Sequence, residues 1–187
     1  MAQTLAMHAV KADLNNFEHI GTIDVSDIKK IVETYDHQKW LDFDLRQKKY
    51  HVHKHTETIP LLFDADFRLS NPTYWPDAPL FAKSLEEISG IFTKYFGEGF
   101  IIRALLVKLL AKTEIAPHVD KGMSLETARR VHLPIITNDA VYFTVGDEIK
   151  NLKPGELWEI NNGKKIHSVR NDSNEDRVHL IVDWQIL

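Results

Sequence analysis

Apolar positions change their spacing about halfway along this chain of 187 residues. In the first half they recur at helical intervals. Ile28, Ile31, Val32 and Tyr35 follow Ser26, a residue suited to cap a helix. Leu85, Ile88, Ile91, Phe92, Tyr95 and Phe96 share one face behind Ser84-Leu-Glu-Glu87, which has the form of a capping box, and Gly97 and Gly99 end that helix. Tyr50–Pro60 alternates as a strand does, and Asn71-Pro-Thr-Tyr-Trp-Pro76 reads as a loop. From Phe100 onward the pattern predicts strands at Phe100–Leu110, Arg130–Ile136, Ala140–Val145, Glu156–Ile160, Lys165–Val169 and Arg177–Trp184, divided by Asn, Asp, Gly and Pro turn signals. Strands at such intervals point to an antiparallel sandwich or barrel: a mainly β fold with flanking α, its N-terminal helices packed outside. No linker divides the chain. Residues 1–187 read as one catalytic domain, with 1–99 a helical or mixed N-terminal part and 100–187 the barrel strands.

Two of those strands carry the same tetrapeptide, Arg130-Val-His-Leu133 and Arg177-Val-His-Leu180. Alternate residues of a strand share a face, so Arg and His lie on one side and Val and Leu on the other. The apolar side suits packing under helices. The Arg/His side needs water, a ligand or a counter-charge, and two such strands facing one cavity make a basic wall.

Composition narrows the chemistry. There is no cysteine among 187 residues, which removes disulfides, Fe–S ligation and a thiolate nucleophile. Ten histidines remain, so a transition metal here must use imidazole and carboxylate. A formal charge of −4 argues against nucleic acid or an anionic membrane as a general partner. The first twenty residues lack the features of a signal peptide, and no apolar run approaches a membrane span; the expectation is a cytoplasmic protein.

His118 and Asp120 stand two residues apart in Pro117-His-Val-Asp120, so on extended chain both point to one face. His167 follows 49 residues later, far enough for several strands to return it across a barrel. Two imidazoles and one carboxylate on one face are the facial triad of non-haem Fe(II) oxygenases. Arg177 comes ten residues after His167, across the Asn171–Asn174 turn, where its fork can take a carboxylate bidentately. A hydrogen-bonded structural set is the plain alternative for the three.

In this ordered set, together with the segments RRVHLPI, LKPGELWEINNGKKIHSVRN and DRVHLIVDW, the sequence resembles the aspartyl/asparaginyl β-hydroxylase family of Fe(II)/2-oxoglutarate-dependent dioxygenases, its amino-acid (proline) hydroxylase branch included. The resemblance runs from about Arg103 to Asp183. It implies a double-stranded β-helix (a jelly-roll or cupin-like barrel) holding Fe(II) through His118, Asp120 and His167, with 2-oxoglutarate and O2 as co-substrates. Arg177 is then the residue for the distal carboxylate of 2-oxoglutarate, and Arg130 and His132 fall on the strand lining the co-substrate site. The implied reaction converts 2-oxoglutarate to succinate and CO2 and hydroxylates a C–H bond. Two features differ from the peptide-hydroxylating members. Those lack a carboxylate at the Asp120 position, and they place a serine where this chain has Val107. Asp120 also argues against halogenation, since a halide needs the coordination position the carboxylate fills.

His51, His53 and His55 look like metal bait, but same-face side chains on a strand stand ~7 Å apart, awkward for one ion. They read first as a solvated or pocket-rim strand, with substrate contact by His53 and His55 as the functional alternative. His179 reads as a satisfied barrel histidine, and Tyr74-Trp75 as a packed loop or a lid. Counting iron, Asp120, 2-oxoglutarate, Arg177 and Arg130, with His132 neutral, leaves one excess positive charge, which favours an anionic substrate. The expected substrate is a small molecule bearing a carboxylate, a free amino acid foremost. The alternatives are hydroxylation of Asp, Asn or another residue in a peptide or protein, and a non-catalytic cupin-like metal-binding or sensing module.

Overall fold

The computed structural model describes residues 14–64, 72–122, 125 and 127–187. Two antiparallel sheets carry the molecule. In chain order the elements are β1 (Phe17–Thr22), α1 (Ser26–Glu33), α2 (His37–Leu41), α3 (Leu45–Lys49), a 3-10 turn (His51–His53), β2 (Thr56–Leu62), a second 3-10 turn (Ala78–Phe81) and α4 (Ala82–Phe96). Then come β3 (Gly99–Leu109), β4 (Thr113–His118), β5 (Arg129–Ile136), β6 (Val141–Val145), β7 (Glu148–Lys150), β8 (Glu156–Ile160), β9 (His167–Asn171) and β10 (Arg177–Ile186). The larger sheet runs β1-β8-β5-β10-β3-β2 and the smaller β4-β9-β6-β7. This is the mainly β, double-stranded β-helix arrangement the sequence led us to expect.

The central strand β10 shows how sequence alternation builds two environments. Val178, Leu180, Val182 and Trp184 belong to the apolar core shared with Ile28, Val32, Ile88 and Phe92 of α1 and α4. The intervening Arg177, His179 and Asp183 are equally buried, but they face the space between the sheets. β5 repeats the scheme, with Val131 and Leu133 in that helix-side core and Arg130 and His132 on the other face. Ile88 and Phe92 are 0% exposed, and burial of each side chain contributes about 1.5–3 kcal/mol, which fixes the helices outside the barrel. A second apolar cluster, including Phe17, Leu109, Ile115, Phe143 and Val169, fills the space between the sheets.

The N-terminal half departs from the pattern in instructive places. β2 begins only at Thr56, because its partner β3 ends at Leu109 and the ladder pairs Thr56 with Leu109. The residues before it have no strand beside them and close into a turn, with His53 N–H donating to Tyr50 O at 2.9 Å and Thr56 Oγ1 to His53 O at 2.8 Å. The expectation that His51, His53 and His55 share one strand face is therefore corrected. Ser84 does not cap α4, which starts two residues earlier as the continuation of a 3-10 turn; Ser26 is the first residue of α1, and its N–H and Oγ both donate to Asp24 Oδ1. Gly97, at φ 95°, ends α4 as expected, while Gly99 is needed for a different reason. A Cβ there would stand 2.3 Å from Gln185 O, where β3 and β10 meet.

Strands β1 and β7 and the short helices α2 and α3 are too brief, or too polar, to show a period. Of the expected loop, Asn71 lies outside the described residues, as do the first thirteen of the twenty N-terminal residues read for a signal peptide. Trp75 is packed, edge-on to Phe43 at 5.2 Å and donating from Nε1 to Phe63 O. Among the described residues no helix is long and apolar enough to cross a membrane.

Candidate metal centre and co-substrate chamber

β4 and β9 pair antiparallel with His118 directly opposite His167, so the ladder delivers both imidazoles to one spot across 49 residues. Asp120 follows β4 and is tied back by its N–H, which donates to Asn162 O at 2.9 Å. His118, Asp120 and His167 offer one donor atom each, all within 4.8 Å of one another. His118 Nδ1 lies 2.9 Å from Ala116 O, and since a carbonyl only accepts, Nδ1 carries the proton and Nε2 keeps its lone pair. Both Nε2 atoms turn toward Asp120, His118 at 3.5 Å from Oδ1 and His167 at 3.8 Å from Oδ2. One ion with bonds of about 2 Å can bridge such separations.

The carboxylate is held for that purpose. Asp120 Oδ2 accepts from Arg130 Nη1 at 2.6 Å and from Asn162 Nδ2 at 2.9 Å, which leaves Oδ1 free of these donors and turned to His118. Burial by itself would raise the pKa of Asp120; Arg130 and the hydrogen bonds reverse this and hold it well below the usual carboxylate range. His167 is pushed down to about 4, chiefly by burial and against the pull of Asp120. An anionic carboxylate and a neutral imidazole are the protonation states a metal requires. The donor set fits a divalent iron.

Arg130 is in turn clamped from behind. Its Nε and Nη2 donate to Asp183 Oδ1 and Oδ2 at 2.8 and 2.9 Å, and Arg103 Nη1 reaches Asp183 Oδ2 at 3.0 Å. β10 lies between β3 and β5, with Asp183 opposite both Arg103 and Arg130, so the register itself assembles this cluster. Asp183, Arg103 and Asn162 were not singled out in the sequence. The first was legible in principle, since it sits six residues beyond Arg177 on the same strand face; Asn162 left no signal.

Arg177 presents the opposite situation. It is 1% exposed, yet no carboxylate of the described residues lies within ion-pair distance. Nη2 donates to His179 Nδ1 and Nε has no partner. Burial lowers its pKa to about 9, which still leaves it charged at neutral pH. It lines a small chamber of about 30 Å³ with His132, Phe143, Val107 and the three metal-type donors. A fully buried guanidinium facing such a chamber is suited to an incoming anion. The chamber as it stands has room for about one water. It adjoins a larger outer cavity of about 450 Å³, with Arg46, His53, His118, Asp120, Arg130 and Ile181 bordering both.

His132 also lines the chamber, buried, with Nδ1 unpartnered. Of the other two candidates, His53 borders both spaces and stacks edge-on to His118 at 5.9 Å, whereas His55 lines neither. His53 is held neutral, pushed down to about 2 by burial and then by Arg46. Arg46, on the unpredicted helix α3, borders both spaces too.

Buried histidines give the metal-free protein a pH signature. His132 and His179 have pKa values pressed well below the ordinary value of 6.5 by burial first and by Arg177 second. Below pH 6.5 the unfolded chain gains protons at these sites that the folded chain refuses, so stability falls; above it neither form is charged and nothing changes. By pH 5 each contributes a loss of about 2 kcal/mol. The urea midpoint is expected to be steady from pH 8 to 7.5 and clearly lower at pH 5. A midpoint unchanged down to pH 5 contradicts the assignment.

Among proteins of curated function none matches the chain. Solved structures do. An oxidoreductase of the 2OG-Fe(II) oxygenase family from Burkholderia pseudomallei is 16% identical, with a TM-score of 0.59 over 90% of this chain and 93% of that one. The alpha ketoglutarate dependent epimerase SnoN from nogalamycin biosynthesis is 12% identical, at 0.58 over 91% and 78%. A viral collagen prolyl hydroxylase from Paramecium Bursaria Chlorella virus-1, solved with 2OG, is 8% identical, at 0.54 over 92% and 97%. At these identities the likeness speaks for the fold. The family comes from the sequence itself: residues 5–185 match the model described as aspartyl/asparaginyl beta-hydroxylase. A match of nearly the full length, on a chain whose fold brings two histidines and an aspartate together, places it in the aspartyl/asparaginyl β-hydroxylase family of Fe(II)/2-oxoglutarate-dependent oxygenases.

Proposed function

We propose that the protein hydroxylates a small carboxylate-bearing substrate, a free amino acid foremost, with His118, Asp120 and His167 holding Fe(II) and Arg177 holding the distal carboxylate of 2-oxoglutarate. The single observation that carries this reading is Arg177: a fully buried guanidinium with no carboxylate of the described residues beside it, in the same chamber as the donor triad. Bound there, the iron and 2-oxoglutarate supply the oxidising chemistry that turns O2 into a hydroxyl on carbon while releasing succinate and CO2.

The chain's own residues do the rest. Arg130 fixes the orientation of the Asp120 carboxylate toward the imidazoles and keeps it ionised. Engaged by two carboxylates, Arg130 orients the metal ligand, and the co-substrate contact first expected of it passes to Arg177 and His132. Val107, Ile115, Phe143 and Val169 supply apolar wall between the charged groups of the chamber and limit the water that reaches Arg177, which strengthens its pairing with an anion. The outer cavity of about 450 Å³ has the size of a small-molecule site. Arg103 and Asp183 cancel in the charge count, and Arg46 raises the excess positive charge to two, favouring an acidic substrate.

Anaerobic addition of Fe(II) and 2-oxoglutarate is expected to produce the visible iron-to-keto-acid charge-transfer band, and O2 is then expected to release succinate, faster with the right substrate. Absence of the band in the unmutated protein sinks the reading. A band without succinate favours a sensing module. A panel in which only peptides stimulate succinate release favours hydroxylation of a residue in a protein.

A further inference from the structure

We propose that Arg46 is the anchor for the substrate's carboxylate, and hence a specificity-determining residue; the assignment rests on the hydroxylase reading above. Nothing in the sequence pointed to it, because it stands in the basic run Arg46-Gln-Lys-Lys49, which looks like a solvated helix surface. The fold turns that helix inward. Phe43 and Leu45 pack with Phe63, Leu105 and Ile181 at the mouth of the barrel, and Gln47 Nε2 donates to Thr56 O at 2.8 Å. Between these two anchors, Arg46 is delivered to the partition between the outer cavity and the inner chamber.

Its partners there are both neutral. Nη1 reaches Thr58 Oγ1 at 3.4 Å, a long contact, and Nη2 lies 3.1 Å from His53 Nε2. Because a guanidinium only donates, His53 must accept at Nε2. No carboxylate of the described residues is within ion-pair distance of Arg46, and the nearby acids are claimed elsewhere: Asp183 by Arg103 and Arg130, Asp120 by Arg130 and Asn162. A half-buried guanidinium with two neutral, imperfect acceptors has its best partner still to come.

Charge around it points the same way. Arg46 and Lys121 border the outer cavity beside Arg103 and Arg130, whose two charges are balanced by Asp183 and Asp120, so Arg46 adds positive charge there on a chain whose net charge is −4. Fe(II) and 2-oxoglutarate cancel each other, so the excess survives loading. Arg177 does not border this cavity, which separates two carboxylate sites: a deep one at Arg177 for the co-substrate and an outer one at Arg46. One imidazole, that of His53, stands between Arg46 and the candidate metal ligand His118, the two rings 5.9 Å apart. A small acid held there by its carboxylate presents its carbon skeleton to the triad.

The test uses the anaerobic Fe(II)/2-oxoglutarate protein and, as probes, the twenty common L-amino acids, each beside its α-amide, with binding read by calorimetry. Asp/Asn and Glu/Gln report on a side-chain carboxylate in the same panel. At least one acid is expected to bind the unmutated protein about 10-fold or more tighter than its amide. Arg46→Gln is expected to weaken that acid by about 10–100-fold, the range for a hydrogen-bonded charge pair, and to level acid with amide. Arg46→Lys, which keeps the charge but loses the fork, is expected to fall between, while the affinity for 2-oxoglutarate changes less than about 3-fold in both variants. Equal weakening of acid and amide, an unchanged acid affinity in Arg46→Gln, or no carboxylate in the panel binding the unmutated protein each overturn the assignment. Failure of the hydroxylase reading shows earlier and separately, as a missing charge-transfer band before any amino acid is added.

Discussion

Replacing Arg177 by methionine is expected to weaken 2-oxoglutarate binding by about 100-fold or more and, at the same time, to raise the melting temperature of the metal-free protein. The two effects share one cause. Arg177 is a charge 1% exposed with no carboxylate of the described residues beside it, and burial already pushes its pKa down to about 9. In the empty chamber that charge is a burden on folding, and exchanging a buried ionic group for an apolar one of similar volume often stabilises by about 1–4 kcal/mol. For a chain of 187 residues each kcal/mol moves Tm by about 2–4 °C. With 2-oxoglutarate present the balance reverses, since losing a buried charge-assisted pair costs about 2–5 kcal/mol. Scanning calorimetry of the metal-free protein and an anaerobic titration of the charge-transfer band check the two halves. Unchanged affinity removes Arg177 from the co-substrate site. A lowered Tm in the metal-free variant shows instead that the charge is already compensated within the fold.

Asp183→Asn is expected to cost about 3–5 kcal/mol of stability, a large share of the roughly 5–15 kcal/mol available to a folded domain. Asp183 is 0% exposed and receives Arg130 at 2.8 and 2.9 Å and Arg103 at 3.0 Å, so the amide leaves two buried cations short of an anion. The damage reaches the metal. Arg130 loses the clamp that aims its Nη1 at Asp120, and loss of such outer support commonly costs about 10–100-fold in metal affinity. Urea denaturation measures the first effect and competition with a chelator the second. Adding Arg103→Met to Asp183→Asn is expected to recover part of the stability, because one of the two cations that shared Asp183 leaves with it. A single variant as stable as the unmutated protein would falsify the clamp.

These two residues share a strand face, yet only one was legible beforehand. Arg177 announced itself through its interval from His167 and its place in a repeated tetrapeptide. Asp183 stands on the same face of β10, but its significance depends on β3 and β5 lying to either side, each bringing an arginine opposite it. Arg130 illustrates the converse. Its presence on a cavity wall follows from strand alternation, whereas its employment on Asp120 and Asp183 follows from where those carboxylates come to rest. The histidine-dense run at 51–55 misled in the opposite direction, because a strand needs a neighbour and β3 stops at Leu109.

What the chain determined by itself was the alternation that separates apolar from polar faces, the glycine that ends α4, and the ordered His-x-Asp…His…Arg set. All of these are properties of local spacing, and spacing survives in one dimension. What only the tertiary structure decided was which charges meet. Arg103 and Arg130 are balanced by Asp183 and Asp120, Arg177 has no carboxylate of the described residues beside it, and Arg46 on a helix without a pattern becomes the cation at the door. Ionic pairing acts between whatever groups the fold brings within a few ångströms, and the sequence distance between them, from 10 to 80 residues here, carries no trace of it.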